Sequence, residues 1–296
     1  MDAALELRIA YDNGDIRDID RAKPFIEKSD LIRCLTKEFI PSPLYAVWRI
    51  TALSEIPFAS SLSYTNRVVE YIENLMVTKN GFTLTGKETD LLPCYNAMIL
   101  EAFSKLGRTD TVSVKNAVEW IKEYQPFERN IPSRWHGAGI KRYGGCLKET
   151  PCFIGLVKSV KALEAYYRIT GSKDERILAI VSKGMDYILR HELYKRLSNK
   201  EPINRHILDL AFPASYQLNI VELLELANRT GNIHREDCQS AFEYIRSKRT
   251  KEGYWKVNYI YKSDGYISFD KRGIKADWLT YLLSGLITAN RPIVDE

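Results

Sequence analysis

The sequence predicts an all-α protein built from paired helices. Prolines open apolar segments at residues 43, 93, 151 and 213, and a further apolar segment starts near residue 276. These starts recur at intervals of about 50 to 63 residues, a period typical of solenoids and closed repeat arrays. In each repeat the apolar segment is followed by a turn and then by a segment with a single apolar stripe. An inner ring of buried helices inside an outer ring of amphipathic helices satisfies both patterns, so an α/α toroid is predicted. An open superhelix of helix pairs is the competing arrangement.

Residues 1–40 are predicted to form an N-terminal helical segment packed on the toroid, and residues 41–296 the toroid itself as a single globular unit. In the first segment, apolar residues recur at helical spacing over residues 21–39. The acidic residues just before it, Asp12 to Asp20, are typical of helix caps. The toroid helices are predicted over residues 44–53, 66–77, 94–107, 114–124, 151–171, 174–194, 213–231, 241–245 and 277–287.

Composition and charge exclude several classes of protein. The chain of 296 residues carries 43 basic and 38 acidic side chains, a net charge of +5, which is too mild to indicate a nucleic-acid-binding protein. No apolar run approaches the ~18 residues of a membrane span, and the N-terminus lacks the features of a signal peptide. A cytoplasmic location is therefore expected. In that compartment the five cysteines are expected to be free thiols or metal ligands. Two of them, Cys34 and Cys238, fall in helical stripes and are predicted to be core residues.

Two cysteines hold equivalent positions in neighbouring repeats. Cys94 follows Pro93 and Cys152 follows Pro151, so both are expected at the same end of adjacent inner helices. A helix N-terminus favours a thiolate. Cys146 and His136 lie in the preceding loop, and three thiolates with one imidazole would form a closed tetrahedral zinc site. The alternatives are an iron–sulfur site, or small buried side chains without a metal.

Basic residues gather in the segments that return from one helix pair to the next. Gly-rich residues 134–146 contain Lys141 and Arg142, and this long loop is either a nest of backbone N–H groups for a phosphate or a flexible crossing segment. Arg205 and His206 precede the helix predicted from residue 213, and Arg272 lies in the last return. Together these side chains are predicted to hold an anionic head group at one end of the toroid. Ordinary surface charge is the alternative.

Aromatic side chains are predicted on the inner helices. They are Trp48, Tyr95, Tyr216, Trp278 and Tyr281. On a buried inner helix they would either line a central cavity or fill the space between two helical layers.

The helix pairs, their period and two glycine-aromatic turns, Asn80-Gly81-Phe82 and Gly253-Tyr254-Trp255, resemble the terpenoid cyclase and protein prenyltransferase β-subunit fold over about residues 40–290. The segments LPCYNAMILEAFSKLG, C-x5-C into FIGLVKSVKALEA, and ILRHELYKRLSNKEPIN with the following Phe-Pro are similar to small prokaryotic prenyltransferase/squalene-cyclase-like proteins. The resemblance implies an α/α toroid with a central cavity.

The catalytic motifs of that superfamily are absent from this sequence. Protein prenyltransferases hold zinc with an Asp-x-Cys pair and a later histidine, whereas here Asp90 precedes Cys94 by four positions. The Asp-x-Asp-Asp acid of class II cyclases and the Asp-rich magnesium motif of class I synthases do not occur. No catalytic residue is therefore assigned. Protein prenyltransferases also work with a second subunit, so a partner protein or a second copy of the chain is left open.

From these features we expect a protein that binds, and in a catalytic version converts, a hydrophobic isoprenoid-type ligand with an anionic head group, with zinc as its metal. A sugar-active (α/α) barrel, lyase or hydrolase, is one alternative, and it would need two inward acids or a Tyr–His pair across the cavity. A non-catalytic helical-repeat scaffold for protein interactions is the other.

Overall fold

The computed structural model describes residues 1–128, 131, 134–135 and 152–290. Twelve α-helices lie in these ranges, and one short hairpin accounts for their β-strands. The predicted all-α class is therefore confirmed, whereas the closed ring of helix pairs stays a prediction. Within the described residues, no helix combines the length and the apolar character that crossing a bilayer requires.

The connections between the helices differ widely in length. Their bounds are α1 Ala3–Asp12, α2 Ile19–Lys28, α3 Asp30–Thr36, α4 Pro43–Leu53, α5 Ser63–Leu75, α6 Pro93–Lys105, α7 Val112–Tyr124, α8 Phe153–Thr170, α9 Glu175–Arg190, α10 Ile220–Arg229, α11 Gln239–Ser247 and α12 Asp277–Ala289. The hairpin pairs β1, Val77–Thr78, with β2, Gly81–Phe82, in antiparallel register.

The chain divides into two compact units. Unit 1 comprises Met1–Leu178 and Lys262–Ile267, and unit 2 comprises Ala179–Tyr261 and Ser268–Glu296.

In unit 1, helix α6 lies between α4 and α8, while α5 packs on α4 and α7 packs on α6. Burial follows the pattern that the sequence predicts. Helices α4, α6 and α8 are buried on nearly all sides over most of their length, whereas α5 and α7 bury a single stripe. A helix that is apolar around its circumference loses exposed apolar surface only when neighbours cover every side, so these three helices form the interior of the unit.

The N-terminal part of unit 1 differs from the single helix predicted over residues 21–39. The chain forms α2 and α3 instead, because Ser29 leaves the helical conformation and its Oγ accepts a hydrogen bond from the Ile32 backbone N–H at 3.0 Å. Asp18 caps α2 in the same way, as the acidic cluster indicated. The buried stripe of α3 consists of Leu31, Ile32 and Leu35. Cys34 lies off this stripe and faces solvent, so the prediction that it is a core residue was wrong.

The turn Asn80-Gly81-Phe82 connects the two strands of the hairpin and packs on α6 and α7. Gly81 has a φ of +121°, and a Cβ there would lie 2.5 Å from Asn96 Oδ1 and 3.0 Å from Ala117 Cα. The Phe82 backbone N–H donates to the same Asn96 oxygen at 2.9 Å, and the Phe82 ring is fully buried. Glycine is therefore required here both by conformation and by space.

In unit 2 the helix predicted from Pro213 starts seven residues later in the structure, at Ile220. Asn219 is the cap, since its Oδ1 accepts from the Glu222 N–H at 3.0 Å. Tyr216 therefore lies in the irregular segment before α10, and its predicted position on an inner helix was wrong. Helix α12 packs on α10, and Asp270 caps it by accepting from the Trp278 and Leu279 N–H groups at 3.1 and 2.9 Å.

Replacement of Gly81 by alanine should destabilise unit 1 by about 2–3 kcal/mol, because the new methyl group meets backbone and a buried amide in a left-handed conformation. Gly107→Ala is the matched control, with a φ of +75° but no atom within 4 Å of the added Cβ. It should cost only about 1 kcal/mol, the conformational term alone. Urea unfolding followed by circular dichroism gives both values. Equal losses for the two variants would contradict the steric argument.

Candidate functional site

Cys94 and Cys152 lie at the first turns of two helices that touch. Pro93 is the first residue of α6 and Cys94 the second, while Cys152 is the N-cap residue of α8. The two turns approach closely because Gly155 has no side chain: a Cβ on it would lie 3.1 Å from Pro93 Cβ and 3.9 Å from the Cys94 nitrogen. The geometry thus brings together the two thiols that the sequence placed at equivalent helix starts.

The surroundings of the two thiols differ. Cys94 is 3% exposed, and Cys152 is half-buried. Burial raises the pKa of the Cys94 thiol to about 12, and the neighbouring Cys152 raises it further, while Lys158 acts in the opposite sense. The two sulfurs therefore disfavour each other's ionisation in the absence of a cation. A divalent metal reverses this effect because it deprotonates the thiols that bind it.

A zinc site needs more ligands than this pair. No group of three or more His, Cys, Asp or Glu side chains suited to a metal occurs among the residues that the structure describes. The two further ligands that the sequence predicts, His136 and Cys146, lie outside the described residues. The residues present fit zinc in the type of donor, two sulfurs at helix starts, and supply half of a tetrahedral set.

Aromatic side chains lie beside the thiol pair. Tyr95 follows Cys94 on α6, and its ring meets that of Trp48 edge to face with the centroids 6.4 Å apart. On another side of Trp48 the Tyr266 ring lies at 6.3 Å, and the indole Nε1–H donates to Ser263 Oγ at 2.8 Å. The segment Lys262–Ile267 thus holds Trp48 against Tyr95 within unit 1.

A buried cluster of charges crosses the interior of unit 1. Lys105 Nζ lies 2.7 Å from a carboxylate oxygen of Glu55 and 2.6 Å from one of Glu101, and Lys161 Nζ lies 3.3 Å from the other Glu101 oxygen. All four side chains are at least mostly buried. Sequence reasoning missed this cluster, although charged residues inside otherwise apolar helices were a visible signal. Carboxylates that contact lysine ammonium groups are held as anions and are poor proton donors.

The predicted head-group residues of unit 2 interact with one another. His206 Nδ1 lies 2.7 Å from Asp209 Oδ2, and Arg205 Nε donates to His206 Nε2 at 2.7 Å. The imidazole ring packs on Tyr259 with the centroids 4.4 Å apart. Because Nε2 accepts from Arg205, the ring proton belongs on Nδ1, where it is donated to Asp209. Arg205 and His206 precede α10 by more than a dozen residues, so the expectation that they lie just before the helix was wrong.

The remaining predicted residues are dispersed. Arg272 is exposed in unit 2, and its backbone forms an isolated bridge with Val257. Lys141 and Arg142 lie outside the described residues. Trp278 is buried in a packed aromatic group, stacked on Phe212 with the centroids 5.7 Å apart and meeting Phe269 at 4.8 Å. Tyr281 is half-buried on α12.

Comparison with models of known protein families and with curated proteins finds no match. The functional argument therefore depends on the geometry of the site.

The segment after α9 is organised by one carboxylate. Glu192 receives charge-assisted hydrogen bonds from Lys195 at 2.5 Å and from Lys200 at 2.9 Å. These two lysines lower the pKa of Glu192 to about 2. Lys195 and Lys200 thus bring the segment that follows α9 back onto Glu192.

Glu192→Gln should lower the free energy of unfolding by about 1–2 kcal/mol at pH 7, after allowance for solvent screening. Because the folded-state pKa is depressed, the stabilisation is present above the unfolded value near ~4.5 and is lost as the pH falls towards about 2. Urea unfolding from pH 7 to 2.5 should therefore show the wild type and the variant converging. The control Glu201→Gln removes an exposed carboxylate of the same segment and should shift stability by less than about 0.5 kcal/mol at every pH. A difference in the free energy of unfolding between wild type and Glu192→Gln that stays constant with pH would contradict the stabilising role of the ionised Glu192.

Proposed function

We propose that the chain binds a zinc ion through Cys94, Cys152, Cys146 and His136, and that it holds a hydrophobic isoprenoid-type ligand with an anionic head group next to this metal. One observation carries the proposal: the first turns of α6 and α8 are in contact and each presents a cysteine. Burial of Cys94 beside a second sulfur is unfavourable for two thiolates alone and favourable for two thiolates around a dication.

The chemistry of such a site depends on the number of protein ligands. Zinc supplies a Lewis acid where one coordination position stays open, and it is structural where four side chains close the site. The protein's own residues would position the ligand in either case. Tyr95 directly follows Cys94 on α6 and its ring contacts that of Trp48, and we propose that this aromatic pair contacts an unsaturated hydrocarbon chain. Lys141 and Arg142, in the loop before Cys146, are the basic groups that we propose for the head group.

The pair of acids Glu55 and Glu101 does not favour the hydrolase form of the sugar-active alternative. Retaining and inverting glycosidases both need a carboxylic acid that gives up a proton. The two acids that the fold brings together, Glu55 and Glu101, share Lys105 instead.

Protein purified without chelator should contain about one zinc ion per chain, and Cys94→Ser and Cys152→Ser should each reduce it to less than about a tenth of an equivalent. Elemental analysis gives the metal content. Replacement of zinc by cobalt(II) should produce the sulfur-to-cobalt charge-transfer bands of a thiolate site in the wild type only. Cys34→Ser, which removes an exposed thiol, is the matched control and should keep the metal. A wild-type protein with less than about a tenth of an equivalent of any metal would overturn the zinc proposal.

Titration with farnesyl diphosphate, farnesol and inorganic diphosphate tests the ligand. The intact compound should bind at least about tenfold more tightly than either part, because the hydrocarbon and the anion contribute together. Tyr95→Leu should weaken binding of farnesyl diphosphate and leave binding of diphosphate unchanged. Tyr166→Leu, a half-buried tyrosine near the opposite end of α8, should change neither. Equal affinities for farnesyl diphosphate and diphosphate would exclude a hydrocarbon site.

A further inference from the structure

Arg49 is a buried cation without an acidic partner in the part of the chain that the structure describes. It lies on α4, where residues 45 to 50 are all buried, and Arg49 itself is 5% exposed. Two of its nitrogens, Nε and Nη1, are buried and donate to no acceptor among the described residues. A guanidinium group keeps its charge under all ordinary conditions, so these N–H groups cannot be neutralised by loss of a proton.

The contacts that Arg49 does make stabilise only part of the group. Its Cζ lies 4.7 Å from the centroid of the Tyr45 ring, a cation–π arrangement, and its charge lowers the pKa of the nearby Tyr64 hydroxyl against the effect of burial. A cation–π contact offsets charge but satisfies no N–H donor. The buried Nε and Nη1 groups therefore retain the cost of lost hydration, which hydrogen bonding to an acceptor would remove.

The surrounding tyrosines hydrogen-bond to the backbone. The Tyr45 and Tyr64 hydroxyls both donate to the Glu38 carbonyl oxygen at 2.6 Å, and burial raises the pKa of Tyr64, which keeps that hydroxyl protonated. Gly265 closes the inner side, because a Cβ there would lie 2.8 Å from the Tyr45 Cα. Within the described residues, the guanidinium is thus packed against tyrosines rather than against a counter-ion.

The outer side of this group is near the surface. Phe39 meets the Tyr45 and Tyr64 rings edge to face at 6.1 and 6.2 Å, and the exposed Arg67 has its Cζ 4.7 Å from the Phe39 centroid. Phe39 and Tyr64 are only half-buried. Arg49 therefore lies one layer of side chains beneath the surface, behind the half-buried Phe39 and Tyr64 rings.

Two other cations in the interior of unit 1 differ from Arg49. Lys105 and Lys161 each have a carboxylate within 3.3 Å. Among the described residues, no carboxylate forms such an ion pair with Arg49.

We infer that Arg49, held against the Tyr45 ring, binds the oxyanion of a small ligand, a carboxylate or a phosphate group, when the half-buried Tyr64 side chain gives way to it. An oxyanion offers several acceptor oxygens for the Nε and Nη1 donors and a charge that matches the guanidinium. This site goes beyond the proposed function, since none of its residues belongs to the metal centre or to the predicted head-group set.

Thermal unfolding in sodium phosphate, sodium acetate and sodium chloride at equal ionic strength tests the inference. Phosphate, acetate or both should raise the wild-type Tm above that in chloride in a concentration-dependent manner. Arg49→Met keeps a long side chain without charge, and it should weaken the anion's apparent affinity by at least about tenfold. Arg67→Met, which removes an exposed arginine from the same aromatic group, is the matched control and should weaken it by no more than about threefold.

An NMR titration of the wild type tests the inference even if Arg49→Met does not fold. The 1H–15N resonance of Arg49 Nε–H should shift and saturate as phosphate or acetate is added, and it should stay in place with chloride. A response to phosphate alone identifies a phosphate site, a response to acetate alone a carboxylate site, and a response to both a general oxyanion site. Cys94→Ser should behave as the wild type, which separates this site from the metal centre. A resonance and a Tm that respond to neither oxyanion beyond chloride would overturn the inference.

Discussion

The contact between the first turns of α6 and α8 is the constraint on which the interior of unit 1 depends. Gly155 against Pro93 lets the two helices approach with almost no side chain between them. A larger residue at 155 would separate the turns, and with them the two cysteines. The same approach aligns the apolar surfaces of both helices along their lengths, so close packing and the position of the thiols have one cause. The candidate metal centre is therefore a consequence of how the core packs.

Buried cations in this core have two kinds of neighbour, carboxylates or aromatic side chains. Lys105 on α6 and Lys161 on α8 form ion pairs with Glu55 and Glu101. Arg49 on α4 has aromatic rings and a hydroxyl instead. Buried ion pairs contribute little net stability, but an uncompensated buried charge is strongly unfavourable. We infer that an anion bound at Arg49 would stabilise the folded protein, because this guanidinium contacts tyrosines and not a carboxylate in the described residues.

Patterns with a local physical cause were predictable from the residues. Proline at the first position of α4 and α6, the stripes of α5 and α7, and the glycine turn at Gly81 follow from backbone geometry and from the hydrophobic period. The failures have local causes as well. Ser29 competes for the backbone as a cap and splits one predicted helix into α2 and α3. Asn219 does the same at the start of α10, so a proline six residues upstream was mistaken for the first turn.

The positions of Cys94 and Cys152 at helix starts could be read from the residues, because proline and the apolar period locate the first turn of a helix. Their contact could not, because it depends on the distance between two helices that are far apart in sequence. Long-range pairs such as Glu55 with Lys105, and the lack of an acid at Arg49, belong to the same class. They arise when packing brings distant side chains together in a medium of low dielectric, where each charge must find a partner or remain costly.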